Sequence, residues 1–135
     1  LLTIGRLEDK VDMLGSIQAL HEKGFSFFTT KRTHEFLESR NIPSAMLNKV
    51  SEPRSPNIRE YLEKKMVDLV INITTHSRGA EQTDGYFIRR IATDHGIPLI
   101  TNVQLAKRII EALIQENPEE LPIMEWPKLL TETTH

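Results

Sequence analysis

The sequence predicts an α/β fold: a three-layer sandwich in which a five-stranded parallel sheet lies between helices on both faces. Three observations predict it. Short β-branched apolar runs alternate with helical periodicities five times along the 135 residues. The runs lack polar alternation, as expected of strands covered on both faces. The stretch 69–102, LVINITTHSRGAEQTDGYFIRRIATDHGIPLITN, reads as a βαβ unit. In it Asp68–Ile73 is a strand, a polar loop carries His76 and Arg78, Asp84 opens a helix that Gly96 closes, and Pro98–Thr101 is the next strand. Ligands of parallel sheets occupy the crevice beyond the carboxyl ends of the strands, which puts Asn72, Thr74, Thr75 and Arg78 where a small anion would be held.

The other elements follow in order. Leu1–Ile4 is a short strand, and Leu7–Lys23 carries Val11, Leu14, Ile17 and Leu20 at three-residue spacing, the mark of one helical face. Gly24 stops that helix and Phe25–Thr29 is the second strand. Thr30–Thr33 forms a basic turn into a helix that runs to about Arg40 with Phe36 and Leu37 inward. Asn41 caps it, Pro43–Leu47 is a weaker third strand, and SEPRSPN is too rich in proline for regular structure. Ile58–Lys65 is helical with Ile58 and Leu62 inward, and Leu105, Ile109, Ala112 and Leu113 form the buried stripe of a last helix. Residues 1–116 form one domain, and 117–135 are an extension packed in part through Trp126.

Composition narrows the function classes. At 15.5 kDa the chain buries roughly two-thirds of its unfolded surface as a single domain. It has no cysteine, so neither a disulfide framework nor a thiolate metal site is available, and an intracellular, cytoplasmic setting is the plain reading. A net charge of −2 argues against a nucleic-acid partner, and no apolar run approaches the ~18 residues of a membrane span. The first residues, LLTIGRLEDK, enter a strand without a leader, as expected of a domain cut from a longer polypeptide.

Candidate ligand groups fall after separate strands. Thr30 and Thr33 stand at a helix start, where hydroxyls and free N–H groups either cap the helix or hold a phosphate or carboxylate. Lys49, Arg54 and Arg59 lie near the start of the next helix. Cations are unfavourable at that positive end, so they are either a solvated surface or the partners of a bound anion. Asn72 and Thr74 end the central strand, serving the loop or a ligand. Of Arg89 and Arg90, at least one should face solvent or a neighbouring domain instead of the crevice. The five histidines are scattered, which gives zinc little support, and no cofactor is expected because there is neither GxGxxG nor GxxxxGK[ST].

The segments FTTKRT, LNKVSEPRSPNIREYL, DLVINITT and DGYFIRRIATDHGIPLITN resemble the C-terminal allosteric domain of the carbamoyl-phosphate synthase large subunit, a methylglyoxal synthase-like domain. The likeness runs to about Leu113 and implies the same five-stranded fold. It also implies a domain that does no chemistry and binds a phosphorylated nucleotide, UMP or IMP. That binding modulates the synthetase core of a parent enzyme in the pyrimidine and arginine pathways. The family's phosphate-binding threonines and lysine fall on Thr30, Thr33 and Lys49, and its further ligand residues on Asn72, Thr74 and Arg78. Urea-cycle members that respond to N-acetylglutamate carry tryptophan where Lys49 stands, so the lysine implies a phosphorylated effector.

The competing expectation is a methylglyoxal synthase acting on dihydroxyacetone phosphate, which needs a carboxylate base beside the phosphate cradle. Members present that base in Gly-Gly-Asp after the third strand, where this chain has Pro53-Arg54-Ser55-Pro56-Asn57, and neither serine nor asparagine acts as such a base. Asp84 matches a second family acid and Glu81 stands near the family's histidine.

Overall fold

The computed structural model describes residues 1–74 and 80–115, with the backbone alone for 80–84. Its elements alternate strictly: β1 (Leu2–Ile4), α1 (Leu7–Glu22), β2 (Phe28–Thr29), α2 (Lys31–Glu38), β3 (Ala45–Met46), α3 (Ile58–Glu63), β4 (Val70–Ile73), α4 (Ala80–Asp94), β5 (Leu99–Ile100) and α5 (Val103–Gln115). All pairings are parallel in the order β3-β2-β1-β4-β5, so the α/β sheet expected from the sequence is the one formed. The chain builds outward from β1 to β3 and then returns to the other side of β1. The switch point therefore lies between β1 and β4, where the helices on the two sides leave a crevice.

Two apolar clusters make the layers. Met13, Ile17 and Leu20 of α1, Phe36 and Leu37 of α2, and Ile109, Ile110 and Leu113 of α5 pack with Leu2, Ile4, Ile71 and Ile73 on one face. On the other face Ile58 and Leu62 of α3 and Ile88, Ile91 and Ala92 of α4 pack with Leu1 and Val70. Successive strand side chains point to opposite faces, which is why Leu1 and Leu2 belong to different clusters.

Several boundaries differ from the sequence expectation for definite reasons. In α1 the buried stripe is Met13, Ile17 and Leu20, while Val11 is 53% exposed. A strict three-residue spacing drifts by about 60° per step, which sets Val11 roughly opposite Leu20, whereas a spacing of four then three stays within about 40°. Helix α4 begins at Ala80, one turn before Asp84, because Ala, Glu and Gln are strong helix formers; Asp84 is thus inside the helix, not its opening cap. Helix α3 stops at Glu63, and Lys65 takes a left-handed φ of 53°, which turns the chain so that the Met66 N–H reaches the Tyr61 carbonyl at 2.8 Å. The last helix buries Ala106 and Ile110 beside Ile109 and Leu113, with Leu105 and Ala112 half-buried. Gly24 (φ 95°) and Gly96 (φ 68°) end α1 and α4 in the left-handed conformation the sequence calls for.

Asn57 makes three of the hydrogen bonds that hold the proline-rich loop and its junction with α3. Asn57 caps α3 by accepting from Arg59 N–H at 2.8 Å, and its Nδ2 donates to the carbonyls of Lys49 at 2.6 Å and Glu52 at 2.9 Å. Its neighbour Asn48 forms a parallel bridge with Asn57. One cap and two side chain-to-backbone bonds together are worth about 3 kcal/mol. Asn57→Ala should therefore lose about 3 kcal/mol in urea unfolding, and a loss below about 1 kcal/mol would show that the loop holds itself.

Candidate functional site

A cavity of about 280 Å³ opens at the switch point, beyond the carboxyl ends of β1, β2 and β4. Thr3–Gly5 come from β1, Thr30–Thr33 from the β2–α2 turn, Lys49 and Glu52 from the loop after β3, Asn72–Thr74 from β4, and Gly85 and Ile88 from α4. Five of the six residues proposed from the sequence, Thr30, Thr33, Lys49, Asn72 and Thr74, line this one space. Arg78 lies outside the described residues, as do Thr75, His76 and Trp126, and the side chains of Glu81 and Asp84 are likewise not described.

Each lining residue is placed by its element. Thr30 is the N-cap of α2 in extended conformation, yet its side chain makes no capping hydrogen bond, so the helix start is not closed by its own cap. No acidic residue stands in the first turn of α2. Lys31 and Arg32 are there instead and line the cavity, which adds positive charge to the positive end of the helix dipole. Thr33 is 1% exposed, and its hydroxyl accepts from Ile4 N–H and donates to Ile4 carbonyl, at 3.3 and 3.4 Å. It ties α2 to β1 and directs its proton away from the cavity.

Lys49 follows β3, and its backbone is fixed by the Glu52 carboxylate on its N–H at 3.1 Å and by Asn57 on its carbonyl. Its ammonium forms no ion pair with any described residue. Arg54 and Arg59, grouped with Lys49 in the sequence reading, do not line the cavity. Arg54 is exposed, and Arg59 turns to Glu63 one helical turn on, at 3.5 Å.

Asn72 is 3% exposed and stands directly across from Thr3 in the sheet. Its Nδ2 donates to Thr3 Oγ1 and its Oδ1 accepts from Arg89 Nη1 at 3.1 Å, so the amide is oriented from both sides. Of the arginine pair, Arg89 thus reaches inward under the crevice. Arg90 faces solvent, bonded to the Tyr86 hydroxyl at 3.0 Å, a contact that raises its pKa above the ordinary value. Gly85 lets α4 approach this floor, since a Cβ there would meet Thr74 Cγ2 at 3.0 Å and Arg89 Nη1 at 3.2 Å.

Three cations, Lys31, Arg32 and Lys49, face one carboxylate, Glu52, among the described lining residues. Glu52 was not among the residues expected at the cradle, because a residue within SEPRSPN has no periodicity to say which way it points. Arg89 was missed as a floor residue for a related reason, since an arginine midway along a helix gives no sign of its partner. Among the described residues there is no cluster of His, Cys, Asp or Glu able to hold a metal ion. None of their helices is long and apolar enough to cross a membrane.

Hydroxyls, the first N–H groups of a helix and a lysine meet around a cavity at the switch point of a parallel sheet, the place where α/β domains of this layout carry their ligand sites. The family described as the MGS-like domain matches residues 12–101, and the chain belongs to it. It is similar to the carbamoyl phosphate synthase large chain of Thermoplasma acidophilum, 40% identical over 115 residues that cover 85% of this chain and 11% of the relative. It is 34% identical over 124 residues to the carbamoyl phosphate synthase large chain, C-terminal section, of Methanocaldococcus jannaschii, which covers 92% of this chain and 20% of that relative. Against the multifunctional protein pyr-3 of Neurospora crassa it is 35% identical over 129 residues, 90% of this chain and 7% of the relative. The chain thus spans a fifth or less of the length of these relatives.

Proposed function

We propose that the cavity binds the phosphate of a nucleotide, UMP or IMP in type, and that the domain regulates the carbamoyl-phosphate synthetase core of a parent large subunit. The observation that carries this reading is the meeting of Thr30, the uncapped start of α2, Lys49 and Thr74 in one space, though they come from three separate crossovers. Hydroxyls and backbone N–H groups supply oriented donors, and Lys31, Arg32 and Lys49 supply the charge that a phosphate dianion requires. Asn72 and Thr33 set the floor, and Arg78, which follows β4 in the sequence and lies outside the described residues, is the sixth member of the proposed set.

Regulation follows from differential affinity. An effector that prefers one docking of this domain against the core shifts the population by that preference, usually ~1–3 kcal/mol, and changes the output of carbamoyl phosphate for the pyrimidine and arginine pathways in the cytoplasm. The relatives named as carbamoyl phosphate synthase large chains support the core as the partner.

Glu52 is the one observation that favours a second reading, a methylglyoxal synthase-type lyase, because it is a carboxylate within the cradle. One of its oxygens is already held by Lys49 N–H, and no second acid lines the cavity among the described residues. A thermal-shift panel of UMP, IMP, acetylglutamate and dihydroxyacetone phosphate, with a methylglyoxal assay on the same sample, separates the two. A nucleotide should raise the melting temperature by several degrees at a hundred times its Kd, an added stability of about 2.7 kcal/mol, without turnover. Methylglyoxal formation would reverse the assignment.

A further inference from the structure

The cavity's single described carboxylate is held more firmly than a surface glutamate needs to be. Glu52 N–H donates to the Lys49 carbonyl at 3.0 Å, its own carbonyl accepts from Asn57, and its Oε1 accepts from Lys49 N–H at 3.1 Å. These bonds fix both the backbone and one carboxylate oxygen, so the charge stays at the cavity wall while the Lys49 ammonium remains unpaired by it. A site built only to gather negative charge would gain from neutralising or removing this group. A fixed carboxylate instead accepts a hydroxyl or amino donor and repels a second anion at the same range.

We infer that Glu52 determines specificity in this pocket: it accepts from a hydrogen-bond donor on the non-phosphate half of the ligand and rejects ligands that carry a second anionic group there. The inference rests on the phosphate-binding reading above. It assigns the ligand class as monophosphate esters of polyols, ribose among them, and excludes phosphocarboxylates and diphosphates.

The test is an NMR titration of the 135-residue chain with glycerol phosphate and with phosphoglycerate, which share a three-carbon skeleton and differ by a terminal hydroxyl against a carboxylate. The wild type should bind glycerol phosphate at least about tenfold more tightly, equivalent to about 1.4 kcal/mol. Glu52→Gln keeps a carbonyl acceptor for Lys49 N–H and so keeps the turn; in it the preference should fall below about threefold. Glu52→Asp retains the charge and should retain the preference. An unchanged preference in Glu52→Gln, or its loss in Glu52→Asp as well, overturns the specificity role while leaving phosphate binding intact. No binding of either ester to any of the three proteins overturns this inference, and no binding of UMP or IMP in the same titration overturns the phosphate reading with it.

Discussion

Replacing Lys49 by alanine should weaken binding of a nucleoside monophosphate by roughly a hundredfold, the worth of one or two charge-assisted hydrogen bonds at about 2–3 kcal/mol. The effect should be confined to the ligand. Lys49 is exposed, its ammonium is unpaired by any described residue, and the bonds that organise its loop use its backbone, which alanine retains. The unfolding free energy of the unliganded variant should stay within about 0.5 kcal/mol of wild type. Calorimetric titration checks the first half and urea unfolding the second. A threefold or smaller change in affinity would remove the lysine from the site.

A protein prepared with Leu1 as its free N-terminus should show stability that depends steeply on pH between about 8 and 5, through the α-amine of that residue. That amine is buried and donates to the Leu69 carbonyl at 2.8 Å. Desolvation lowers its pKa from 8.0 to about 5, partly opposed by the charge of Asp68. In the unfolded chain the amine takes up a proton below 8.0, whereas the folded chain stays neutral there until about 5. Unfolding in that window binds a proton, so acidification favours it. The contribution is fully present above 8.0 and gone below about 5, up to about 4 kcal/mol in total at 1.36 kcal/mol per pH unit. Acetylating Leu1, or joining any residue before it, turns the amine into an amide and should abolish this slope. Urea midpoints at a series of pH values with and without acetylation measure it, and coincident curves would refute it.

The parts of the fold legible in the sequence were those fixed by local chemistry. Gly24 and Gly96 marked helix ends because only a left-handed residue closes those turns, and the runs Leu1–Ile4 and Leu69–Ile73 announced covered strands by lacking polar alternation. The site residues were legible through topology: a residue just beyond a parallel strand has few places to be except the crevice, which is how Thr30, Lys49, Asn72 and Thr74 came to be grouped. What a side chain does there was harder to see. Thr33 spends its hydroxyl on β1 and Asn72 is claimed by Thr3 and Arg89, contacts with partners up to 69 residues away in the chain, while Glu52 lines the cavity from a loop without periodicity. Val11 illustrates a different failure, since apolar character alone cannot tell a core position from a neighbour one turn of phase away.

The place where β1 meets β4 has a kinetic consequence. Leu2, Thr3 and Ile4 pair with Ile71, Asn72 and Ile73, so this seam joins two contiguous halves of the chain across a loop that is costly to close. A ligand that grips Thr30 and Lys49 from the earlier half and Thr74 from the later one fastens the seam only after both halves have formed. Occupancy should accordingly lengthen the lifetime of the folded state and leave the refolding rate nearly untouched, so that a chevron recorded with saturating nucleotide shifts along its unfolding limb alone.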